Sequence, residues 1–130
     1  MKPLIMLARS SSLSSGQSFS TTVLVSEQHY LGGDLTTDQM TSSMENYRKQ
    51  TLKASLVYSS HVDLNGLDFA YLEMKHDLTS ARGTPETYES VQYIYVKNRE
   101  VYIIEFTTNF DRASQMLPLF KSIALTFVII

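Results

Sequence analysis

The 130-residue chain contains no cysteine and no tryptophan, and only three prolines and five glycines. Without cysteine there is no disulfide, no thiolate nucleophile and no Cys-ligated zinc. Charge of either sign is also scarce in excess. Eleven Lys and Arg stand against 13 Asp and Glu, a formal net charge of −2 that exerts no overall pull toward nucleic acid or an anionic membrane. Long apolar runs are missing too. Leu4–Ala8 stops at Arg9, short of the roughly 7–15 apolar residues of a signal peptide, and reads as a strand. The tail from Ile123 to Ile130 falls far below the ~18–20 residues that span a bilayer, and is expected to finish a core.

What is present suits a folded globule. Hydrophobic residues make up 43%, charged residues 18% and aromatics 11%, enough apolar surface for one domain over residues 1–130. Composition leaves the compartment open: cytoplasmic if Met1 is the native start, cell envelope if a leader has been removed.

From Arg9 to Ser18 the chain is rich in serine and reads as a loop. Phe19 to Gln28 carries Phe19, Thr21, Val23 and Val25 at every second position, the spacing of one strand face. Gly32-Gly33-Asp34 breaks that pattern. Thr36 or Thr37 can cap a helix running to about Lys53, whose buried stripe is expected to be Met40, Met44, Tyr47 and Leu52. Asn65-Gly66 then sits between two alternating segments and predicts a type I′ hairpin. Two-residue closure pairs Leu64 with Leu67, Val62 with Phe69, Ser60 with Tyr71 and Tyr58 with Glu73 on one face.

Leu78 to Thr87, with Gly83-Thr84-Pro85, reads as an exposed connection. Tyr88–Val96 and Val101–Thr108 form a second hairpin about Asn98-Arg99, stacking Tyr95 with Tyr102, Tyr93 with Ile104 and Val91 with Phe106. Asn109 is a candidate cap for a last helix with Ala113, Met116, Leu117, Phe120 and Ile123 or Ala124 on one side. Pro118 should kink that helix or restart it. Hairpins with separate helices indicate an α+β domain with an antiparallel sheet flanked by helices.

No motif announces a reaction. The three histidines, His29, His61 and His76, fit no spaced zinc pattern. His61, Asp63 and Asp68 fall on one face of the first hairpin but offer few ligands, so no metal and no cofactor is expected. Glu73 and Glu105 are the candidates for acid–base work, since each lies in a strand beside apolar residues. No nucleophile elbow or phosphate-binding glycine loop occurs, and the chain is not expected to be an enzyme. Tyr93, Tyr95 and Tyr102 lack the basic company that nucleic acid demands. Tyrosine's large apolar face and polar tip suit protein contact instead.

From Phe19 to Phe127 the chain resembles the PsbP-like superfamily, which includes photosystem accessory proteins, the yeast Ran-binding Mog protein and bacterial DcrB-type proteins. The resemblance lies in Thr21-Thr22-Val23-Leu24-Val25, the helix after Leu35-Thr36 and Leu64-Asn65-Gly66-Leu67 leading into Phe69-Ala70-Tyr71. It continues in Tyr93-Ile94-Tyr95-Val96-Lys97-Asn98, Val101-Tyr102-Ile103-Ile104 and Leu117-Pro118-Leu119-Phe120-Lys121-Ser122-Ile123. It implies an α/β/α sandwich used as an accessory or binding module, and carries no catalytic residue across. The family's opening strand with a Pro-x-x-Trp-like segment has no counterpart, so the chain is expected to begin one element late.

The expected function is therefore that of a non-catalytic bacterial accessory or adaptor protein. It would bind another protein through Tyr58, Tyr71, Tyr93, Tyr95 and Tyr102, a DcrB-type secretion chaperone being one form of this. The alternative is a small-ligand binder or enzyme with a pocket between sheet and helices, using Glu73 or Glu105 and lined by Tyr58, Tyr71 and Met44.

Overall fold

The structure is a computed structural model describing residues 8–9, 21–79, 83, 85–127 and 129. Its strands are β1 (Ala8–Arg9), β2 (Thr22–His29), β3 (Ser55–Leu64), β4 (Leu67–Thr79), β5 (Pro85–Lys97) and β6 (Glu100–Asn109); its helices are α1 (Thr37–Thr51) and α2 (Ala113–Ala124). One antiparallel sheet has the order β1-β2-β6-β5-β4-β3. The strand expected over Leu4–Ala8 is described only at its end, where Ala8 pairs with Val23 and Arg9 with Thr22. Phe19 and the serine loop beyond Arg9 lie outside the described residues.

Both hairpins close in the register that alternation predicts. Leu64 faces Leu67, and Tyr58 faces Glu73. Val96 faces Val101, and Tyr95 faces Tyr102. Asn65 at φ 56° and Gly66 at φ 86° adopt the left-handed conformations of a type I′ turn, as do Asn98 at 52° and Arg99 at 66°. Of the connection expected over Leu78–Thr87, the described residues are largely strand instead. Leu78 pairs with Glu86 and Thr79 with Pro85, because an antiparallel ladder continues until turn residues force it apart. Register slips once, at Val57, so the edge strand β3 bulges near its start.

Alternation along the strands builds a separate core on each face. Ala70, Leu72, Met74 and Ile94 meet α1 through Met40, Met44 and Leu52. Phe69, Val91, Tyr93, Ile104 and Phe106 form the other face beneath α2, where Phe106 and Phe120 stack at 4.6 Å. The helices thus cover opposite faces of the sheet, an α/β/α sandwich.

Helix α1 starts at a capping box: Thr36 Oγ1 accepts from the Gln39 amide at 3.1 Å, and Gln39 Oε1 accepts from the Thr36 amide at 3.0 Å. Its inner stripe differs from expectation at one position. Tyr47 is 61% exposed, and Arg48 turns inward beside Met44. Thr37, Thr41, Met44 and Arg48 follow i, i+4 and i+3 steps, which places the centre of the buried face one residue beyond Tyr47. At the other end of the chain, Asn109 precedes a 3-10 turn, Phe110–Arg112, and makes no side-chain cap. Helix α2 then runs through Pro118 without interruption, burying Ala113, Phe120 and Ala124. Beyond it the described residues are turn and coil, with Phe127 and Ile129 packed on the α2-side core.

Candidate functional site

Period-two alternation sends Tyr58, Tyr71, Tyr93, Tyr95 and Tyr102 to the α2 face of the sheet. Helix α2 covers this face diagonally. It begins after β6, where Asn109 pairs with Tyr88, and reaches the β3–β4 turn, where the Asn65 amide donates to the carbonyls of Leu125 and Phe127, both at 2.9 Å. The helix divides the tyrosines into two groups.

The first is a row running inward from the β3 edge. Tyr58 lies edge-on to Tyr71 at 6.1 Å, Tyr71 to Tyr93 at 5.3 Å, and Tyr93 to Phe106 at 6.0 Å. Tyr58 is 57% exposed, Tyr71 is half-buried and Tyr93 is 2% exposed. Tyr93 therefore anchors the row in the core and presents no surface of its own, a correction to its expected role in direct contact. The second group is Tyr95 with Tyr102 at 6.3 Å, Tyr95 also stacking on Phe69 at 5.1 Å. Both are half-buried.

Beneath the first row lie two buried carboxyls. Tyr71 donates its hydroxyl hydrogen to Glu73 Oε1 at 2.7 Å, and Glu89 is the diagonal neighbour of Glu73 across the β4–β5 ladder. Glu73 is 8% exposed and Glu89 4%. Burial, then the neighbouring Glu73 carboxyl, push the Glu89 carboxyl up to about 7. Burial and Glu73 likewise push Tyr93 up to about 12, and Tyr71 is raised by the same causes. Glu73 belongs to the sequence reading as a candidate acid or base. Glu89 does not, although extending the row Tyr95, Tyr93, Val91 by two residues reaches it.

The opposite face holds a separate polar cluster. Arg48 reaches from α1 to Glu105 Oε1 at 2.5 Å and Ser90 Oγ at 3.2 Å, while Gln92 Nε2 donates to Glu105 Oε2 at 3.3 Å. Glu105 is thus the partner of an arginine rather than a free acid. Arg48 Nε, Gln92 Oε1 and His76 Nδ1 are buried without a partner among the described residues. Burial, reinforced by Arg48, lowers the His76 pKa and favours its neutral ring, which lies 5.9 Å from Tyr88.

Two sequence-level groupings come apart. Met44 packs on the α1 face, so it cannot line one pocket with Tyr58 and Tyr71 across the sheet. His61 contacts Asp68 Oδ1 at 3.0 Å and Asp38 Oδ1 at 2.8 Å, but Asp63 turns away to accept from the Gly66 amide at 3.0 Å. The Asp68 hydrogen bond, aided by the charges of Asp68 and Asp38, raises the His61 pKa against an opposing desolvation. Among the described residues, no group of three or more His, Asp or Glu side chains is placed to hold a metal ion. Nor is any helix among them long and apolar enough to cross a membrane.

No family model matches this chain, and no curated protein matches it in sequence. Backbone geometry is more informative. The solution structure of PsbP (CyanoP) from the cyanobacterium Synechocystis sp. PCC 6803 is similar with a TM-score of 0.63, at 14% identity over 85% of this chain and 68% of its own. The fold is PsbP-like. The Pseudomonas aeruginosa protein PA94, a candidate regulator of unknown function, is similar with a TM-score of 0.77 at 17% identity, over 100% of this chain and 85% of its own. Identities this low reflect the PsbP-like backbone, and they assign no role to the tyrosines or carboxyls described above.

Proposed function

We propose that this PsbP-like domain is a non-catalytic accessory or adaptor protein that binds a partner protein through the tyrosine face beside α2. One observation carries the reading. Tyr58 is 57% exposed at an edge strand, with exposed Leu56 and Val57 next to it, while Tyr71 and Tyr93 brace it from within. An exposed aromatic backed by a packed row is ordered before a partner arrives, so binding costs less side-chain entropy. Half-buried Tyr95 and Tyr102 extend the surface beyond the helix. An apolar segment of a partner matches this chemistry, as a chaperone-like role requires.

A photo-crosslinking residue placed at Tyr58 tests the proposal, with exposed Tyr47 on α1 as the control position on the other face. Partner capture at 58 and none at 47 is expected. Tyr58→Ala together with Tyr71→Ala should weaken capture at least about tenfold, because aromatic hot spots are worth about 2 kcal/mol or more. Equal capture at both positions, or undiminished capture by the folded double variant, would overturn the proposal. The buried Glu73–Glu89 pair favours a second reading, a small-ligand site or enzyme using these carboxyls. Saturable binding of a small molecule that is lost in Glu89→Gln would establish that reading instead.

A further inference from the structure

Strand β3 ends the sheet order, so among the described residues its ten positions pair on one side only, with β4. The direction of its free backbone groups follows from the turn. A two-residue closure makes Leu64 and Leu67 the innermost hydrogen-bonded pair, and alternation then commits the amides and carbonyls of Val62, Ser60 and Tyr58 to β4. Those of Ser59, His61 and Asp63 point to the open side. Sheet edges are ordinarily guarded by lysine, proline or a bulge. From Tyr58 to Leu64 there is neither lysine nor proline, and the bulge at Val57 lies just outside that stretch. Tyr58, Ser59, His61 and Asp63 are all exposed. The two ends of the edge differ in charge. Exposed Asp38, Asp63 and Asp68 cluster at its C-terminal end, where His61 contacts Asp38 and Asp68. Exposed Lys53 and Lys75 flank its N-terminal end, while Asp77, farther along β4, accepts from the Thr87 hydroxyl at 2.6 Å.

We infer that this edge pairs with the same edge of a second copy, antiparallel about a two-fold axis through Ser60, so that the two sheets join into one. Opposite strand polarity places the acidic end of each copy beside the basic end of the other. Rotation about an axis perpendicular to the sheet keeps the α1 sides together and the α2 sides together, so each residue meets one from its own face. With the axis at Ser60, Ser59 and His61 exchange ladder hydrogen bonds in both halves. Tyr58 of each copy then lies opposite Val62 of the other, an aromatic against a β-branched side chain. Moving the axis to Ser59 brings the bulged Val57 into the ladder opposite His61. Moving it to His61 sets two like side chains face to face, each drawn toward the imidazolium form by Asp68 and Asp38. The joined sheet carries one tyrosine row on each side of the axis, and the second copy supplies a residue beside exposed Tyr58. This pairing does not rest on the tyrosine-face reading, because its bonds are made by the backbone of the edge.

The test combines sedimentation of the whole chain with oxidation of single-cysteine variants, which report the register cleanly because the chain has no cysteine of its own. Wild type should pass from monomer to dimer as its concentration rises. Ser60→Cys meets its own copy in a non-hydrogen-bonded row, where Cα atoms stand about 4.5 Å apart, within reach of a disulfide. It should form covalent dimer at least about tenfold faster than Asp63→Cys or Tyr47→Cys, whose sulfurs the pairing keeps apart. Ser59→Pro removes an outward amide and spares the β4 ladder, since proline is accepted on an edge strand. It should keep its fold by circular dichroism and lose the dimer. Should Ser59→Pro fail to fold, Ser60→Lys, which sets two ammonium groups against each other on the axis, takes its place. A chain that stays monomeric from about 1 μM to 1 mM would overturn the inference. So would equal crosslinking at positions 60 and 63, or an undiminished dimer in the folded edge variant. Capture of a foreign protein at Tyr58 by a chain that remains monomeric would support the docking surface and count against this pairing.

Discussion

Arg48 illustrates how one side chain can outweigh its neighbours in placing an element. Its guanidinium joins α1 to β5 and β6 through Ser90 and Glu105, and both ions of the Arg48–Glu105 pair are largely removed from water. Desolvation of two charges offsets most of their attraction, so the pair contributes more to the seating of α1 than to net stability. Breaking it from one side is costly, because it strands the other charge. Arg48→Met should destabilise by about 3 kcal/mol in urea unfolding, and adding Glu105→Gln to that variant should recover more than half of the loss. Additive losses would mean that the two charges do not depend on each other. The inward turn of Arg48 was not legible from composition. A heptad-like count favours aromatic Tyr47, and only the ion partner on a distant strand decides between positions 47 and 48.

Among the elements, the two hairpins were the most legible. Asn65-Gly66 and Asn98 supply residues that tolerate positive φ, and alternation on each side fixes the register without reference to the rest of the chain. The connection between them was less so. Gly83 and Pro85 look like a long break, yet the ladder continues to Thr79 and Pro85, since proline is acceptable at the first residue of a strand. Helix α2 shows the same tension. Pro118 withholds one amide donor, leaving the Ser114 carbonyl without its i+4 partner, yet Phe120 and Ala124 are fully buried beyond it. Packing of that apolar stripe overrides the local penalty. Pro118→Ala should therefore stabilise the fold, by at most about 3 kcal/mol, as a higher urea midpoint with an unchanged slope. A lower midpoint would show that the ring's own packing matters more than the missing donor.

At the scale of the molecule, the candidate site was half visible before the fold was known. Tyr58 opposite Glu73 and the Tyr93, Tyr95 and Tyr102 cluster follow from register alone, because both hairpins are local. That Glu89 lies beside Glu73 requires joining the hairpins through β4 and β5, and the exposure of each tyrosine depends on the diagonal course of α2. Neither is written in a period-two pattern. The division of faces was equally hidden: grouping Met44 with Tyr58 ignored the sheet that separates them.

The sheet order also implies a history. Strands β3 to β6 form a meander whose neighbours in space are neighbours in the chain, whereas β2 docks on β6 with Thr22 opposite Thr107. Closing so wide a loop is entropically expensive, so the meander should assemble first and β2 should add last. Contacts made after the rate-limiting step govern how fast the protein comes apart rather than how fast it forms. Val23→Ala, in the buried part of β2, should speed unfolding roughly tenfold or more while leaving the refolding limb of a chevron plot nearly unmoved. A slowed refolding limb would place β2 in the folding nucleus. With late docking, the free β6 edge is the surface along which a folding intermediate of this protein would pair with another copy.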